Sequence, residues 1–405
     1  MATLHLPWEI ISREILPKLP AKSLLRFKCV SKSFKTLIST PEFINSHLSS
    51  NTNRHLLLIN KTDQQLYSLD LDTPNSAVTR LPLRHRFNDY DCFVLSSCNG
   101  LICFVQINTE SCCYYQLFNL STGVYKNVDF DISDLLSFGN YLNFGFGFDC
   151  ENDDYKLVII VDYFDAMVYD VGDEANRRQV IVCSSNTSCK RLVVDKLSPR
   201  DTVILQHMAV TENSSKLNCM FWTSSMNKHR CGCFDVCGER WVEDVPLPDY
   251  NGGEIEKLHD FVDIGAIDGC LCLLTVNHRH SSVDVWIMKE YRVKESWVKL
   301  LDVSDSVVTR SLKVVPFAYG KNSEDDVLFL KDDTSELVWY NRLCKTTVKA
   351  EICGVPEINK AFMCKDSLVT ISGGSYPSKP ALVVVVDLLL LSWVAWMKWL
   401  TLKPF

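Results

Sequence analysis

The sequence lacks the motifs by which most catalytic and zinc sites are recognised. It has 18 cysteines but no Cys-x-x-Cys pair, no metalloprotease helix and no nucleophile turn. The two glycines of GFGFD, residues 145–149, are not followed by a helical pattern, so we predict a strand that enters a turn and not a phosphate-binding loop. We therefore expect no catalytic residue, no bound metal and no cofactor.

A secretory signal is also missing from the first residues. The segment MATLHLPWEI has neither the basic region nor the long apolar region of a signal peptide. We expect a reducing compartment, cytoplasmic and/or nuclear, in which the cysteines are mostly buried free thiols. His229, Cys231, Cys233 and Cys237 would share one face of a strand, but we favour a buried face over a zinc site.

Charge is small overall and unevenly distributed. The 405 residues are 47% hydrophobic and 22% charged, which is typical of a globular chain with room for more than one domain. Residues 1–48 hold seven Lys/Arg and three Asp/Glu, a net +4, which leaves −7 − 4 = −11 for the remainder. The basic residues alternate with apolar ones at helical spacing, which favours a protein partner over nucleic acid.

Residues 1–48 have the pattern of several short helices. Pro7 suits the first turn of a helix, and Pro20 ends it. Ser31 is a predicted cap of a later helix, and Pro41 opens the last one, which ends near Leu48. The first helix has an apolar face formed by Trp8, Ile11, Ile15, Leu16 and Leu19. A polar stretch, residues 49–54, is the predicted linker to the remainder.

From residue 55 onward, short runs of β-branched and aromatic residues replace the helical pattern. A strand followed by Asp or Asn recurs roughly every 50 residues, and its members are Asp70, Asn119, Asp170, Asp235 and Asn341. Such side chains turn the chain by accepting hydrogen bonds from nearby backbone. A four-stranded unit at this period is typical of a propeller blade.

We thus predict a mainly β chain with a small all-α N-terminal module. Residues 55–380 are expected to form a kelch-like β-propeller of about six blades, with seven as the upper estimate. The strand near residue 55 should share a blade with the late strand AFMCKDSLVTIS and close the ring. Two β-sandwiches are the alternative.

Residues 381–405 form an apolar C-terminal tail. The run at 381–400 is long enough to span a bilayer. Asp387 near its centre would cost about 2.5–3.5 kcal/mol on insertion scales, and its β-branched residues suit a buried strand. We expect a last strand and an apolar terminus, with a membrane anchor as the alternative.

The N-terminal module resembles an F-box. The residues that match in order and spacing are Leu6, Pro7, Glu9, Ile15, Leu16, Leu19, Pro20, Ser23, Leu24, Arg26, Phe27, Val30, Ser31, Lys32, Phe34, Leu37, Ile38, Pro41, Glu42 and Phe43. Phe34 stands where that family commonly has Trp, and it keeps an aromatic side chain there.

The remainder is similar to the F-box-associated domain of plant F-box proteins. The matching motifs, between residue 96 and about residue 300, are SSCNGLICF, LFNLSTG, FGFGFDCENDDYKLV and VDVWIMKEYRVKESWVKL. That family includes the S-locus F-box proteins and defence-regulating relatives. The resemblance divides the chain into an F-box (1–48), a linker (49–54), a substrate-recognition domain (55–380) and the tail (381–405).

The resemblance implies a non-catalytic substrate receptor of an SCF-type (Skp–cullin–F-box) ubiquitin ligase. The F-box would bind a Skp-type adaptor, generally an acidic protein, and through it the cullin and RING subunits. The propeller would bind a protein target, with pollen-rejection ribonucleases (S-RNases) and immune receptors as the two candidate classes. The alternatives are a propeller scaffold that works without a ligase, and a propeller enzyme or glycan-binding module.

By motif position, the resemblance implies adaptor contacts at nine residues. They are Leu6, Pro7, Ile11, Ile15, Leu19, Pro20, Leu24, Val30 and Phe34. The same apolar residues could instead form the core of the N-terminal module, and some must do both.

Overall fold

A helical head, residues 7–50, precedes a body of antiparallel sheets in the computed structural model. The residues described are 7–71, 77–81, 83, 92–107, 113–131, 140–163, 178–187, 189–194, 205–210, 219–224, 231–248, 259–267, 270–277, 282–303, 312–313, 319–320, 323–331, 336–350 and 357–375. The predicted tail, 381–405, lies outside them. Within these ranges no helix is both long enough and apolar enough to cross a bilayer.

The head consists of four short α-helices with tight connections. They are α1 (Trp8–Ile10), α2 (Ala21–Phe27), α3 (Lys32–Ile38) and α4 (Pro41–Ser50), with a π-helical turn (Ile11–Ile15) and a 3-10 turn (Leu16–Lys18) between α1 and α2. Pro7 caps α1 from outside and does not lie in its first turn as predicted, whereas the first helical run ends before Pro20 and Pro41 opens α4, both as expected. The Ser31 hydroxyl caps α3 by accepting a hydrogen bond from the Phe34 amide at 3.1 Å.

Six antiparallel sheets follow the head. Sheet I contains β1 (Arg54–Asn60), β2 (Leu66–Asp70), β3 (Thr79–Arg80) and the late strand β25 (Ile358–Lys365). Sheet II contains β4 (Cys92–Cys98), β5 (Leu101–Gln106), β6 (Cys113–Asn119) and β7 (Tyr125–Phe130). Sheet III contains β8 (Asn140–Asp149), β9 (Asp154–Tyr163), β10 (Arg178–Ser184) and β11 (Cys189–Val194).

The other three sheets repeat this plan. Sheet IV contains β12 (Leu205–Val210), β13 (Cys219–Ser224), β14 (Cys231–Asp235) and β15 (Arg240–Val245). Sheet V contains β16 (His259–Ile267), β17 (Cys270–Asn277), β18 (Ser282–Met288) and β19 (Trp297–Val303), with a 3-10 turn (Lys294–Ser296) before β19. Sheet VI contains β20 (Leu312–Lys313), β21 (Tyr319–Gly320), β22 (Ser323–Lys331), β23 (Glu336–Asn341) and β24 (Thr346–Lys349), and β20 and β21 both pair with β22.

The sheets pack side by side in a closed ring. In sheets I to V, one edge strand of each sheet contacts the corresponding edge strand of its neighbour. These contacts join β25 to β4, β4 to β8, β8 to β12 and β12 to β16. Buried Val285 and Phe329 join sheets V and VI, and buried Leu328 and Leu56 join sheets VI and I. This arrangement is a β-propeller, and the alternative of two sandwiches is wrong.

Strands from both ends of the chain close the ring, as the sequence predicted. β1 pairs with β25 in an antiparallel register that places Leu57 opposite Phe362. A seventh sheet, the upper estimate from the sequence, is absent from the described part of the chain.

The predicted turns at Asn119, Asp235 and Asn341 are confirmed, whereas the residues that would form the turn after Asp70 lie outside the described ranges. Side-chain Oδ1 atoms of Asn119, Asp235 and Asn341 each accept hydrogen bonds from the backbone amides two and three residues later. These turns connect β6 to β7, β14 to β15 and β23 to β24, which are the third and fourth strands of their sheets. Asp149 makes the same turn after β8, so GFGFD is a strand that enters a turn, as expected. Asp170 lies outside the described residues.

One pair of cysteines departs from the prediction of free thiols. Cys183 and Cys189 stand directly opposite one another on β10 and β11, and their sulfur atoms form a disulfide. Opposite positions in an antiparallel pair bring the two side chains close together, an arrangement that spacing in the sequence did not reveal. The buried cysteines Cys103, Cys272 and Cys364 take part in no disulfide, as expected for thiols of a protein core.

A buried lysine joins sheets III and IV. The Lys156 Nζ on β9 lies 2.6 Å from Oδ2 of Asp149 and 2.8 Å from Oε1 of Glu239, which follows β14. Burial acts to raise the pKa of the Asp149 carboxyl, but hydrogen bonds from Asn152 and Lys156 outweigh it and hold that pKa below its usual value. Glu239 has a lowered pKa for the same reason, with Lys156 and Lys190 as donors.

We predict that Lys156→Met destabilises the propeller by about 3–5 kcal/mol, because it leaves a buried carboxylate without its counter-ion. Urea denaturation at pH 7 measures this loss. In the wild type, the ion pair adds to the free energy of unfolding at pH values above 3.8, the ordinary pKa of an Asp carboxyl. This stabilisation is lost as the pH falls through the lowered pKa that Asp149 has in the folded protein. The difference between variant and wild type should therefore shrink in strong acid.

Lys190→Met is the matched control, since Lys190 pairs with the same Glu239 carboxylate from an exposed position. It should cost less than about 1 kcal/mol. If both variants lost the same free energy of unfolding, the buried ion pair of Lys156 would stabilise the protein no more than the exposed pair of Lys190.

Candidate protein-interaction site

The exposed apolar side chains of the described residues are concentrated in the head. Trp8 is 45% exposed, Ile10 42%, Ile15 40% and Val30 64%. The other four large exposed apolar residues, Val293, Val298, Leu343 and Val348, are distributed over sheets V and VI of the much longer body. A concentration of exposed apolar side chains in a small module indicates a surface that binds another protein.

A row of aromatic rings supports this surface. The Trp8 ring lies 5.4 Å from Phe34, and Phe34 stacks at 5.8 Å on Phe27, measured between ring centroids. These contacts hold the Trp8 ring in place while leaving much of it accessible. Trp is among the residues that most often dominate the binding energy of an interface.

A compact core lies behind the exposed residues. Its buried members are Leu16, Ala21, Leu24, Ile38, Phe43 and Ile44 from the head and Leu368 from the body. His47 is also buried, and its Nε2 donates to the Leu19 carbonyl at 3.0 Å. These residues form the interior of the head, and the exposed apolar side chains lie outside it.

Positive charge accompanies the apolar surface. Burial and the nearby Lys35 ammonium both lower the pKa of Lys28. The net charge of +4 over residues 1–48 suits an acidic partner. The exposed pair Glu14–Lys18, at 3.7 Å, contributes little to stability.

The structure places the predicted contact residues in three environments. Pro7, Ile15, Pro20 and Val30 are exposed, Ile11, Leu19 and Phe34 are half-buried, and Leu24 is 0% exposed, while Leu6 lies outside the described residues. Full burial assigns Leu24 to the core, which is the alternative that the sequence left open. The contacts of the other residues remain predictions.

Sequence reasoning missed Ile10 as a candidate contact. Ile10 falls outside the predicted apolar face of the first helix, yet it is exposed beside Trp8. The available signal was a hydrophobic residue on the otherwise polar side of this short helix.

Two of the candidate metal ligands, Cys233 and Cys237, have different partners. The Tyr291 hydroxyl donates to Sγ of Cys233, which is buried, while Sγ of Cys237 lies 3.7 Å from that of Cys150. In the described ranges no three potential metal ligands cluster, and His229 lies outside them.

We predict that Leu24→Ala destabilises the head by about 2–5 kcal/mol, because it opens a cavity in a filled core. Val30→Ala should change stability by less than about 0.5 kcal/mol. Hydrogen exchange of the α2 to α4 amides distinguishes the two variants. Rapid exchange in Val30→Ala, or wild-type exchange in Leu24→Ala, would contradict the division between surface and core.

Comparison with known proteins agrees with this geometry. Residues 4–46 match the F-box domain family. The chain is 29% identical over 386 residues to F-box protein CPR1 of Arabidopsis thaliana, covering 91% of this chain and 89% of that protein. It is 23% identical to F-box protein At4g22390 of the same plant (83% of both chains) and 26% identical to its F-box/kelch-repeat protein At3g23880 (74% and 79%).

Among solved structures, the chain is similar to one chain of a nidogen/laminin complex, with 9% identity and a TM-score of 0.43 over 78% of this chain and 99% of that one. That likeness is too low to support a conclusion. The sequence matches therefore show an F-box domain at residues 4–46, and most of the chain is similar to F-box proteins of Arabidopsis thaliana.

Proposed function

We propose that this F-box protein is the substrate receptor of an SCF-type ubiquitin ligase and performs no covalent chemistry itself. The observation that carries the proposal is the apolar surface of the F-box domain, formed by Trp8, Ile10, Ile15 and Val30 over a filled core. An F-box domain implies a Skp-type adaptor as its partner.

The short helices of the head would bind in an apolar groove of the adaptor. Trp8, Ile15 and Val30 would be the buried anchors, with Pro7, Ile11 and Phe34 around them. Lys28 and Lys35 would face acidic residues of the adaptor and speed association. Through the adaptor, the chain would join the cullin and RING subunits.

The propeller would hold a protein target near the ubiquitin-loaded enzyme. Binding two partners on one chain raises the effective concentration of the target at the reactive thiol ester. Loops at the rim of a propeller are the expected recognition surface. For the target itself we propose a protein, with S-RNases and immune receptors as the two classes to test.

The same proposal assigns the parts of the chain. The F-box (1–48), the linker (49–54) and a kelch-like recognition domain (55–380) would act in cytoplasm or nucleus, where the ligase subunits are found.

We predict that Trp8→Ala lowers adaptor affinity at least about 30-fold, because truncating a central anchor costs 2 kcal/mol or more. The measurement is co-purification with a plant Skp-type adaptor, followed by titration. Val30→Ser should weaken binding, whereas Val348→Ser should not. Both valines are 64% exposed, so the second controls for general loss of apolar surface.

A folded wild-type chain that fails to bind any adaptor would overturn the receptor proposal and favour a propeller scaffold that works without a ligase. Equal loss for Val30→Ser and Val348→Ser would instead place the adaptor on a different surface.

A further inference from the structure

A buried carboxylate connects the head to both ends of the body. Asp366 directly follows β25, and its side chain is buried. Its Oδ2 accepts a hydrogen bond from the Ala21 amide at the start of α2, at 3.2 Å. Its Oδ1 lies 2.9 Å from Nε2 of His55 on β1 and 3.0 Å from the Ser121 hydroxyl of sheet II. One side chain thus contacts the head, sheet I and sheet II.

The backbone around Asp366 makes further contacts with the segment that follows α4. The Asn51 side-chain amide donates to the Asp366 carbonyl at 3.2 Å, and the Asp366 amide donates to the Asn53 carbonyl at the same distance. Asn51 is buried as well. The segment between head and body is therefore held in place over its length and does not behave as a free tether.

Residues 366–371, which we call the strap, are hydrogen-bonded to sheet II. The Asn119 side-chain amide donates to the carbonyls of Ser367 and Val369, at 3.2 and 2.9 Å. The Ser367 amide donates to the Ser121 hydroxyl at 3.0 Å. Asn119 thus stabilises the turn after β6 through its Oδ1 atom and binds the strap through its Nδ2 atom.

Gly100 makes room for the strap. It has a positive φ of 75° in the two-residue turn between β4 and β5. A Cβ at this position would collide with the Ser367 side chain and lie 2.7 Å from the Lys365 carbonyl. Only glycine satisfies both the conformation and the close approach.

The strap also completes the core of the head. Leu368 is buried among the head residues, and Val369 packs against both this cluster and the cluster of sheets II and III. Apolar packing and hydrogen bonding therefore act on the same short segment.

We propose that Asp366 is a positioning residue that fixes the F-box domain against the propeller, so that the adaptor-binding surface and the target-binding domain move as one body. This inference rests on the proposed receptor function. In that function ubiquitin passes from the thiol ester of its carrier to a lysine Nζ, which forms an amide and releases the thiol. A fixed geometry determines which lysines reach that thiol ester.

Removing Asp366 should loosen the head without unfolding the propeller. The Ala21 amide and the His55 ring would be left buried without their partner, which favours opening of the junction. Adaptor binding should persist, because the exposed residues Trp8, Ile15 and Val30 lie on the surface and not at this junction.

The experiment uses the full chain with Asp366→Ala, Ser121→Ala and, as a matched control, Ser296→Ala. Ser296 also bonds backbone groups of a turn, but in sheet V. Hydrogen exchange is measured on the free chain, comparing segments 21–27 and 366–371 with β9 and β22. We expect exchange in the first two to rise about tenfold in Asp366→Ala, less in Ser121→Ala, and not at all in Ser296→Ala.

The second readout is the set of the chain's own lysines that become ubiquitinated in the reconstituted ligase. With adaptor affinity unchanged, Asp366→Ala should yield additional modified lysines, because a hinged receptor presents more of its surface. A purely stabilising role would leave this set unchanged. If Asp366→Ala does not fold, Ser121→Ala gives the same two readouts.

Unchanged exchange at the junction, or an unchanged set of lysines despite faster exchange, would overturn the positioning role. Failure of the receptor proposal has a different signature: the wild-type chain would not bind the adaptor, while exchange of the free chain would still report whether Asp366 fixes the head.

Discussion

The pairing of β1 with β25 is the constraint on which the molecule depends. It closes the ring of sheets with strands from both ends of the described chain, and β25 covers the edge of β1 that would otherwise be open. The register places Arg54 opposite Lys365. The residue after Lys365 is therefore held beside the residues that leave the head, and closure of the propeller delivers Asp366 to the F-box domain.

This pairing also brings residues of the propeller into contact with the small head. A module of this length has little apolar surface to bury. The propeller contributes Leu368 to its core and a carboxylate to the first amide of α2. With its interior completed from outside, the head can expose Trp8, Ile10, Ile15 and Val30 and still remain folded.

The sequence was a good guide to features that depend on local rules. Caps and prolines located the helices of the head, and the recurring Asp and Asn marked real turns, because each acts through backbone groups within a few residues. The sharing of one sheet by the two ends followed from the repeat, since an incomplete first unit needs a late strand.

Features that depend on distant residues could not be read in the same way. Leu24 fits the pattern of a contact residue, and only the packing of Leu16, Ile38 and Leu368 around it shows that it is buried. Asp366 stands in the run CKDSLV, where one acidic residue after a strand looks like an ordinary turn. Its role appears only when α2, β1 and the turn after β6 converge on it. The opposition of Cys183 and Cys189 likewise depends on strand register.

The choice of a buried carboxylate at this junction has a physical reason. Apolar contacts such as those of Leu368 and Val369 tolerate small rotations, because dispersion and burial depend weakly on angle. Hydrogen bonds to a buried carboxylate do not, since a misaligned donor leaves charge desolvated and unpaired. A junction made of apolar side chains alone would hold the head on the propeller at many angles. Hydrogen bonds of Asp366 with Ala21, His55 and Ser121 would narrow that range of angles.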